Sequence, residues 1–369
     1  MTANRLKGLE ALGQSVWYDY IRRDLIDGGG LARLIAEDGL SGMTSNPTIF
    51  DKAITSSGRY DGQLRELAAS GERDTQELFF SIALDDVRAA ARLLRPVFED
   101  SGGSDGFISF ECTPDLADDT EATIAQAISL WQRLAEPNVM IKVPGTVAGL
   151  LAIEELTRRG VNVNVTLLFS IERYERVIDA YLRGLLARTR AGEPVDEVVS
   201  VASFFLSRID TKADAQLDPS SPVRGQVALA SARVAYQRYR AKFAGAGWDH
   251  LRDLGARPQK PLWASTGTKN PAYSDVLYVS ELIGPDVINT MPEHTLRAFA
   301  DHGVIARTLD ADPQAAERML AAAAGAGLDL AAITSQLERE GVRSFCDSYH
   351  RLLDCIERKV ATMDAASGR

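Results

Sequence analysis

Lys142 stands in the run Asn138-Val139-Met140-Ile141-Lys142-Val143-Pro144, whose members are otherwise apolar or turn-forming, and the nearest carboxylate in sequence is Glu136. Of the eight lysines (7, 52, 142, 212, 242, 260, 269 and 359) it alone lies inside a strand pattern; the others sit among polar, turn or helix-surface residues. If helices cover one face of that strand, Val139, Ile141 and Val143 turn towards them while Met140 and Lys142 point the other way, into an interior. Desolvation disfavours the ammonium of a buried lysine, and a neutral amine is a nucleophile towards carbonyl carbon. The same residue also fits a structural role, at a strand end where it snorkels to water or beside a buried carboxylate. Its surroundings must decide.

Strands buried on both faces read as nearly continuous apolar runs, so polar residues embedded in them carry information. In the stretch 161–168, Asn162, Asn164 and Thr166 share one face, and Val161, Val163, Val165 and Leu167 the other. In 107–112, Ser109 and Glu111 alternate with Ile108, Phe110 and Cys112. Asp19 ends one strand pattern, Asn46 ends another immediately before Pro47, and Ser203 lies near the end of a sixth. Singly, each is a hydrogen-bonded core group or a turn former. Together they converge on Lys142 from separate strands. Glu111 and Asp19 suit proton transfer, since a carboxyl beside an apolar wall has its pKa raised into a useful range. Asn46, Asn164, Thr166 and Ser203 suit the orientation of hydroxyl groups or a water.

The segment Ala264-Ser265-Thr266-Gly267-Thr268-Lys269-Asn270-Pro271 supplies hydroxyls, a glycine and a cation, and Arg208 follows Ser203 by five residues. Ser265, Lys269 and Arg208 are therefore candidates for holding an anion such as a phosphate. The four histidines show no metal-ligand spacing, and His294 reads as structural. No metal and no cofactor are expected.

Eight strand-like runs position these residues: 14–20, 41–46, 107–112, 138–144, 161–168, 198–205, 261–265 and 286–291. Between them, apolar residues recur at helical spacing, as in Ile124, Ile128, Trp131 and Leu134 after Asp118-Asp119-Thr120. Eight alternating units favour an α/β fold, a closed (β/α)8 TIM barrel, over an open doubly wound sheet. A single domain spanning 1–369 is expected. Two helical additions interrupt the repeat. One is an insert at about 50–104 between strands two and three, with a helix near 60–70 besides a long one from Asp74 to about Phe98. The other is an extension at about 312–364. There Val342, Phe345, Tyr349, Leu352, Leu353, Ile356 and Val360 form an apolar stripe, which predicts a helix docked on the outside of the barrel or on a second subunit. Residues 365–369 read as a loose tail.

Composition narrows the function. A hydrophobic fraction of 45% and a charged fraction of 25% are those of an ordinary globular protein. A net charge of -10 argues against a nucleic-acid surface but permits a phosphorylated small molecule held by one or two local cations. Three cysteines without a C-x-x-C pair fit reduced thiols. With no apolar leader and no stretch of roughly 20 apolar residues, a cytoplasmic protein with no membrane partner is expected, as a monomer or homodimer.

The runs Thr44-Ser45-Asn46-Pro47, Met140-Ile141-Lys142-Val143-Pro144, Asn162-Val163-Asn164-Val165-Thr166-Leu167-Leu168-Phe169-Ser170 and Ala202-Ser203-Phe204-Phe205-Leu206-Ser207-Arg208 resemble, in this order, the signatures of the transaldolase family, class I Schiff-base aldolases on a (β/α)8 barrel. The resemblance covers about residues 10–300, and the long insert and helical C-terminus look like the longer bacterial and plant members. It implies that Lys142 forms the Schiff base, that Asp19 handles the substrate hydroxyl proton, and that Glu111 works through a water held with Thr166. It further implies that Asn46 and Asn164 bind substrate hydroxyls, that Ser203 lines the site, and that Arg208 and the loop with Ser265 and Lys269 take the phosphate. That loop departs from the common Ala-Ser-Phe-Arg-Asn by two extra residues and a lysine for the arginine. The implied reaction moves a dihydroxyacetone unit between ketose and aldose phosphates, as in the pentose phosphate pathway. A simple aldolase, a phosphosugar isomerase with Lys142 as an electrostatic group, and a non-catalytic sugar-phosphate sensor are the alternatives.

Overall fold

The computed structural model describes residues 4–367. Eight parallel strands close a barrel in sequence order: β1 (Gln14–Asp19), β2 (Gly42–Thr44), β3 (Phe107–Glu111), β4 (Val139–Pro144), β5 (Val163–Leu168), β6 (Ser200–Phe205), β7 (Lys260–Ala264) and β8 (Val287–Met291). The β1–β8 ladder, from Gln14 opposite Val287 to Tyr18 opposite Met291, closes the ring and rules out the open sheet.

Helices begin almost at once after several strands because cap residues stand there. Asn46, Thr146 and Ser170 accept hydrogen bonds from the backbone N–H groups of Ile49, Gly149 and Arg173, supplying partners that first helical turns lack. Strand two is shorter than expected for this reason. It ends at Thr44, and Asn46 caps the helix Pro47–Thr55 rather than closing the strand, with Pro47 at the position where a missing N–H costs nothing. The insert thus holds three helices, Pro47–Thr55, Asp61–Ala69 and Thr75–Asp100.

The alternation expected in β5 holds through Thr166 and then breaks. Leu167 adopts a left-handed backbone (φ 59°), and the register with β6 shifts between Val165 and Leu168. This bulge re-aims Leu167 towards the C-terminal helix, where a Cβ added to Gly341 would come within 3.0 Å of its side chain.

The C-terminal helix, Leu330–Ser367, does not sit on the outside of the barrel. It lies across the carboxyl ends of the strands. Glu338 pairs with Arg173 after β5, Glu340 with Lys212 after β6, and Ser348 and His350 bond Thr48 and Asp115 after β2 and β3. The predicted stripe is what it buries: Phe345, Tyr349, Leu352, Ile356 and Val360 are all buried. Each large apolar side chain contributes about 1.5–3 kcal/mol on burial, whereas an exposed ion pair gives about 0–1 kcal/mol. The stripe therefore holds the helix and the polar links set its register. The helix also absorbs residues 365–367 of the expected tail; 368 and 369, like 1–3, lie outside the described residues. Among the described residues no single helix is long and apolar enough to cross a membrane; Pro313–Gly325 and Leu330–Met363 reach that length and composition only when taken together, across a bend of 93°.

Candidate active site

β4 carries Lys142 into the barrel, where it is 4% exposed. The strand registers set Glu111 opposite Lys142 and Lys142 opposite Asn164, so three adjacent strands present a carboxyl, an amine and an amide at one level. Lys142 Nζ lies 3.6 Å from Glu111 Oε2 and donates a hydrogen bond to the Ser45 carbonyl oxygen at 3.1 Å. The Phe345 ring, brought by the C-terminal helix, covers the same nitrogen at 6.0 Å.

Burial pushes the Glu111 carboxyl up to about 7 against the opposing pull of Lys142. Asp19, half-buried at the end of β1, is also raised by desolvation, and Lys142 and the hydrogen bond from Thr44 oppose that rise. The Thr44 hydroxyl donates to Asp19 at 2.8 Å and lies 2.9 Å from the Thr290 hydroxyl of β8. The two acids thus differ: Asp19 has a hydroxyl donor, whereas Glu111 faces the amine and keeps Oε2 without a hydrogen bond.

A second chain of bonds crosses the barrel. Ser203 donates to Asn164 at 2.7 Å, and Asn164 donates to Ser109 at 2.9 Å, which fixes the Asn164 amide beside Lys142. Thr166, one residue pair further along β5, has a buried hydroxyl without a partner. Buried polar atoms are normally paired, so Glu111 Oε2 and Thr166 Oγ1 are the atoms here suited to a substrate group or a water.

Asn46 spends its side-chain oxygen on the helix cap, leaving the amide nitrogen for a ligand. Arg208, on the helix Ser207–Asp214, lies over the Phe205 ring at 5.6 Å, and burial lowers its pKa. It makes no ion pair among the described residues, as suits a guanidinium reserved for an anion. Ser265 sits 2.9 Å from Ser207 through their hydroxyls and so joins the β7 loop to the Arg208 helix. Lys269 is placed less directly: it is exposed and lines a cleft of about 270 Å³ with Asp210, Asp214, Asn270 and Tyr273. Asp19 nevertheless feels both cations, Lys269 and Arg208.

Sequence reasoning passed over the Ser45 carbonyl, the Thr44–Thr290 pair, Ser109 and Phe345. Thr44 and Ser45 sit in the quoted motif and Ser109 shares a face with Glu111, so these three had a signal. Phe345 had none beyond its stripe. Among the described residues no group of His, Cys, Asp and Glu could hold a metal ion.

The "Transaldolase/Fructose-6-phosphate aldolase" family model matches residues 16–356. A protein named "Transaldolase" from Frankia alni is 45% identical over 97% of this chain and 98% of its own length. Proteins of the same name from Thermobifida fusca (96% of this chain, 98% of theirs) and Mycobacterium bovis (96% and 97%) are each 46% identical. A closed barrel with a buried lysine facing two acids, matched along nearly its whole length, places the chain in the transaldolase/fructose-6-phosphate aldolase family.

Proposed function

We propose that this protein is a transaldolase that moves a dihydroxyacetone unit from a ketose phosphate to an aldose phosphate through a Schiff base on Lys142. The observation that carries the reading is the buried amine of Lys142, 3.6 Å from a carboxyl whose pKa burial holds near 7. The name that these relatives share supports it.

The free amine of Lys142 attacks the C2 ketone of fructose 6-phosphate or sedoheptulose 7-phosphate. Protonated Glu111, working through a water held with Thr166, delivers the proton with which the C2 oxygen leaves as water, and an iminium ion results. Asp19 takes the proton of the C4 hydroxyl, the C3–C4 bond breaks, and its electrons enter the iminium to give an enamine. An aldose phosphate departs. The enamine attacks the aldehyde of a second aldose phosphate, Asp19 returns its proton, and hydrolysis frees the new ketose. Asn164, held by Ser203 and Ser109, and the Asn46 amide orient the substrate hydroxyls. Arg208, Ser265 and Lys269 take the phosphate, with Arg208 supplying a planar donor fork. The protein acts on sugar phosphates in the cytoplasm as a monomer or homodimer.

Borohydride reduction in the presence of fructose 6-phosphate tests the reading. A three-carbon adduct should appear by mass and map to Lys142, and Lys142→Met should fold, lose the adduct and lose transfer. An isomerase using Lys142 as a fixed charge would interconvert sugars without any adduct. Unfolding of Lys142→Met would instead assign the lysine to the structure.

A further inference from the structure

We infer that Phe345, carried over the barrel mouth by the C-terminal helix, sets how the bound enamine divides between transfer to an aldose phosphate and release by water. The inference rests on the Schiff-base reading above. The family's own name joins transferases with aldolases, which differ in the fate of this intermediate.

The ring centroid lies 6.0 Å from Lys142 Nζ, the atom that carries the three-carbon unit, and Phe345 is 3% exposed. Phenylalanine has neither a proton to give nor a site to hold a water. The position of the ring is enforced along the helix. Four residues before it, Gly341 is packed on Leu167, the bulged residue at the end of β5. Glu340 is bound to Lys212 at 2.9 Å, and three residues after the ring Ser348 meets Thr48 at 2.9 Å. An apolar ring held at both sides over the reacting nitrogen excludes water from a reactive intermediate.

The reaction so suppressed balances without another reagent. The enamine carbon takes a proton relayed by water and becomes an iminium ion. Water adds at the iminium carbon, the Lys142 amine leaves, and dihydroxyacetone is released with the enzyme restored. Because imine formation released one water, the net change is cleavage of fructose 6-phosphate to dihydroxyacetone and glyceraldehyde 3-phosphate.

The test compares free dihydroxyacetone with transferred product, using fructose 6-phosphate with and without erythrose 4-phosphate. Phe345→Ala should raise the ratio of release to transfer by about tenfold as water gains entry, while the borohydride adduct on Lys142 persists. Phe345→Leu, which keeps the apolar bulk, should restore the wild-type ratio. If the alanine variant does not fold, Phe345→Val should show the same rise in smaller measure. In D2O the released dihydroxyacetone should carry deuterium, and its yield should rise with the ratio. An unchanged ratio in a folded, adduct-forming variant overturns the inference. Absence of the adduct from the wild-type enzyme overturns the Schiff-base reading instead.

Discussion

Glu111 and Asp19 are both carboxyls beside one lysine, the first buried and the second half-buried, and their surroundings give them different work. Asp19 accepts a hydroxyl hydrogen bond from Thr44 and lies half open, which suits a group that takes a proton from substrate. Glu111 keeps Oε2 without a hydrogen bond and is held near 7, so it remains protonated at lower pH and can serve as an acid. A raised carboxyl loses its proton as pH climbs through its folded value. Imine formation in a single turnover should therefore show a descending limb as pH passes about 7. In Glu111→Gln that limb should vanish and the rate should fall by about 10²–10⁴; a limb that survives would assign it to another group. At this scale much was readable beforehand. Lys142, Glu111, Asn164 and Ser203 announce themselves as polar residues in apolar runs. The Ser45 carbonyl does not, because every residue has one and only packing selects which carbonyl meets the amine.

At the scale of elements, the strand patterns read well because a period of two is local: each residue's face follows from its neighbours. The errors fall where the backbone leaves that period. Asn46 turned from strand end to helix cap because its side chain offers the backbone a better partner than the ladder, and Leu167 left the alternation at a bulge. Within the regular part of the sheet, a glycine makes room for a neighbour. The face of β2 at Gly42 is filled by the Trp17 indole, and a Cβ there would come within 2.3 Å of the ring. Gly42→Ala should destabilise the protein by about 1–3 kcal/mol in urea, with a shifted tryptophan emission. A wild-type midpoint would show that β1 and β2 part easily, contrary to the register of Trp17 on Gly42.

Across the whole molecule, the C-terminal helix joins what the barrel repeat leaves separate. Its apolar stripe closes over Phe50, Phe79 and Phe110 of the insert and β3, with Tyr349 edge-on to Phe79, and its polar side chains reach the segments after four strands. Extension, insert and barrel thus share one core. Calorimetry should give one unfolding transition, with calorimetric and van't Hoff enthalpies in agreement; an early, separate transition removing the helix would make the extension a unit of its own.

The sequence by itself determined that eight strand-helix units form a barrel, that one lysine points inward, and which acids and amides meet it, because strand periodicity and cap chemistry act between near neighbours. Only the tertiary structure decided what covers that lysine. An amphipathic stripe states that a helix must be buried, but its partner is chosen by the shape and charges of distant segments that follow the strands, here those around Arg173, Lys212, Thr48 and Asp115. The same holds for the pairing of Thr44 with Thr290 and of Lys142 with the Ser45 carbonyl, contacts across 246 and 97 residues that exist only once the ring of strands has closed.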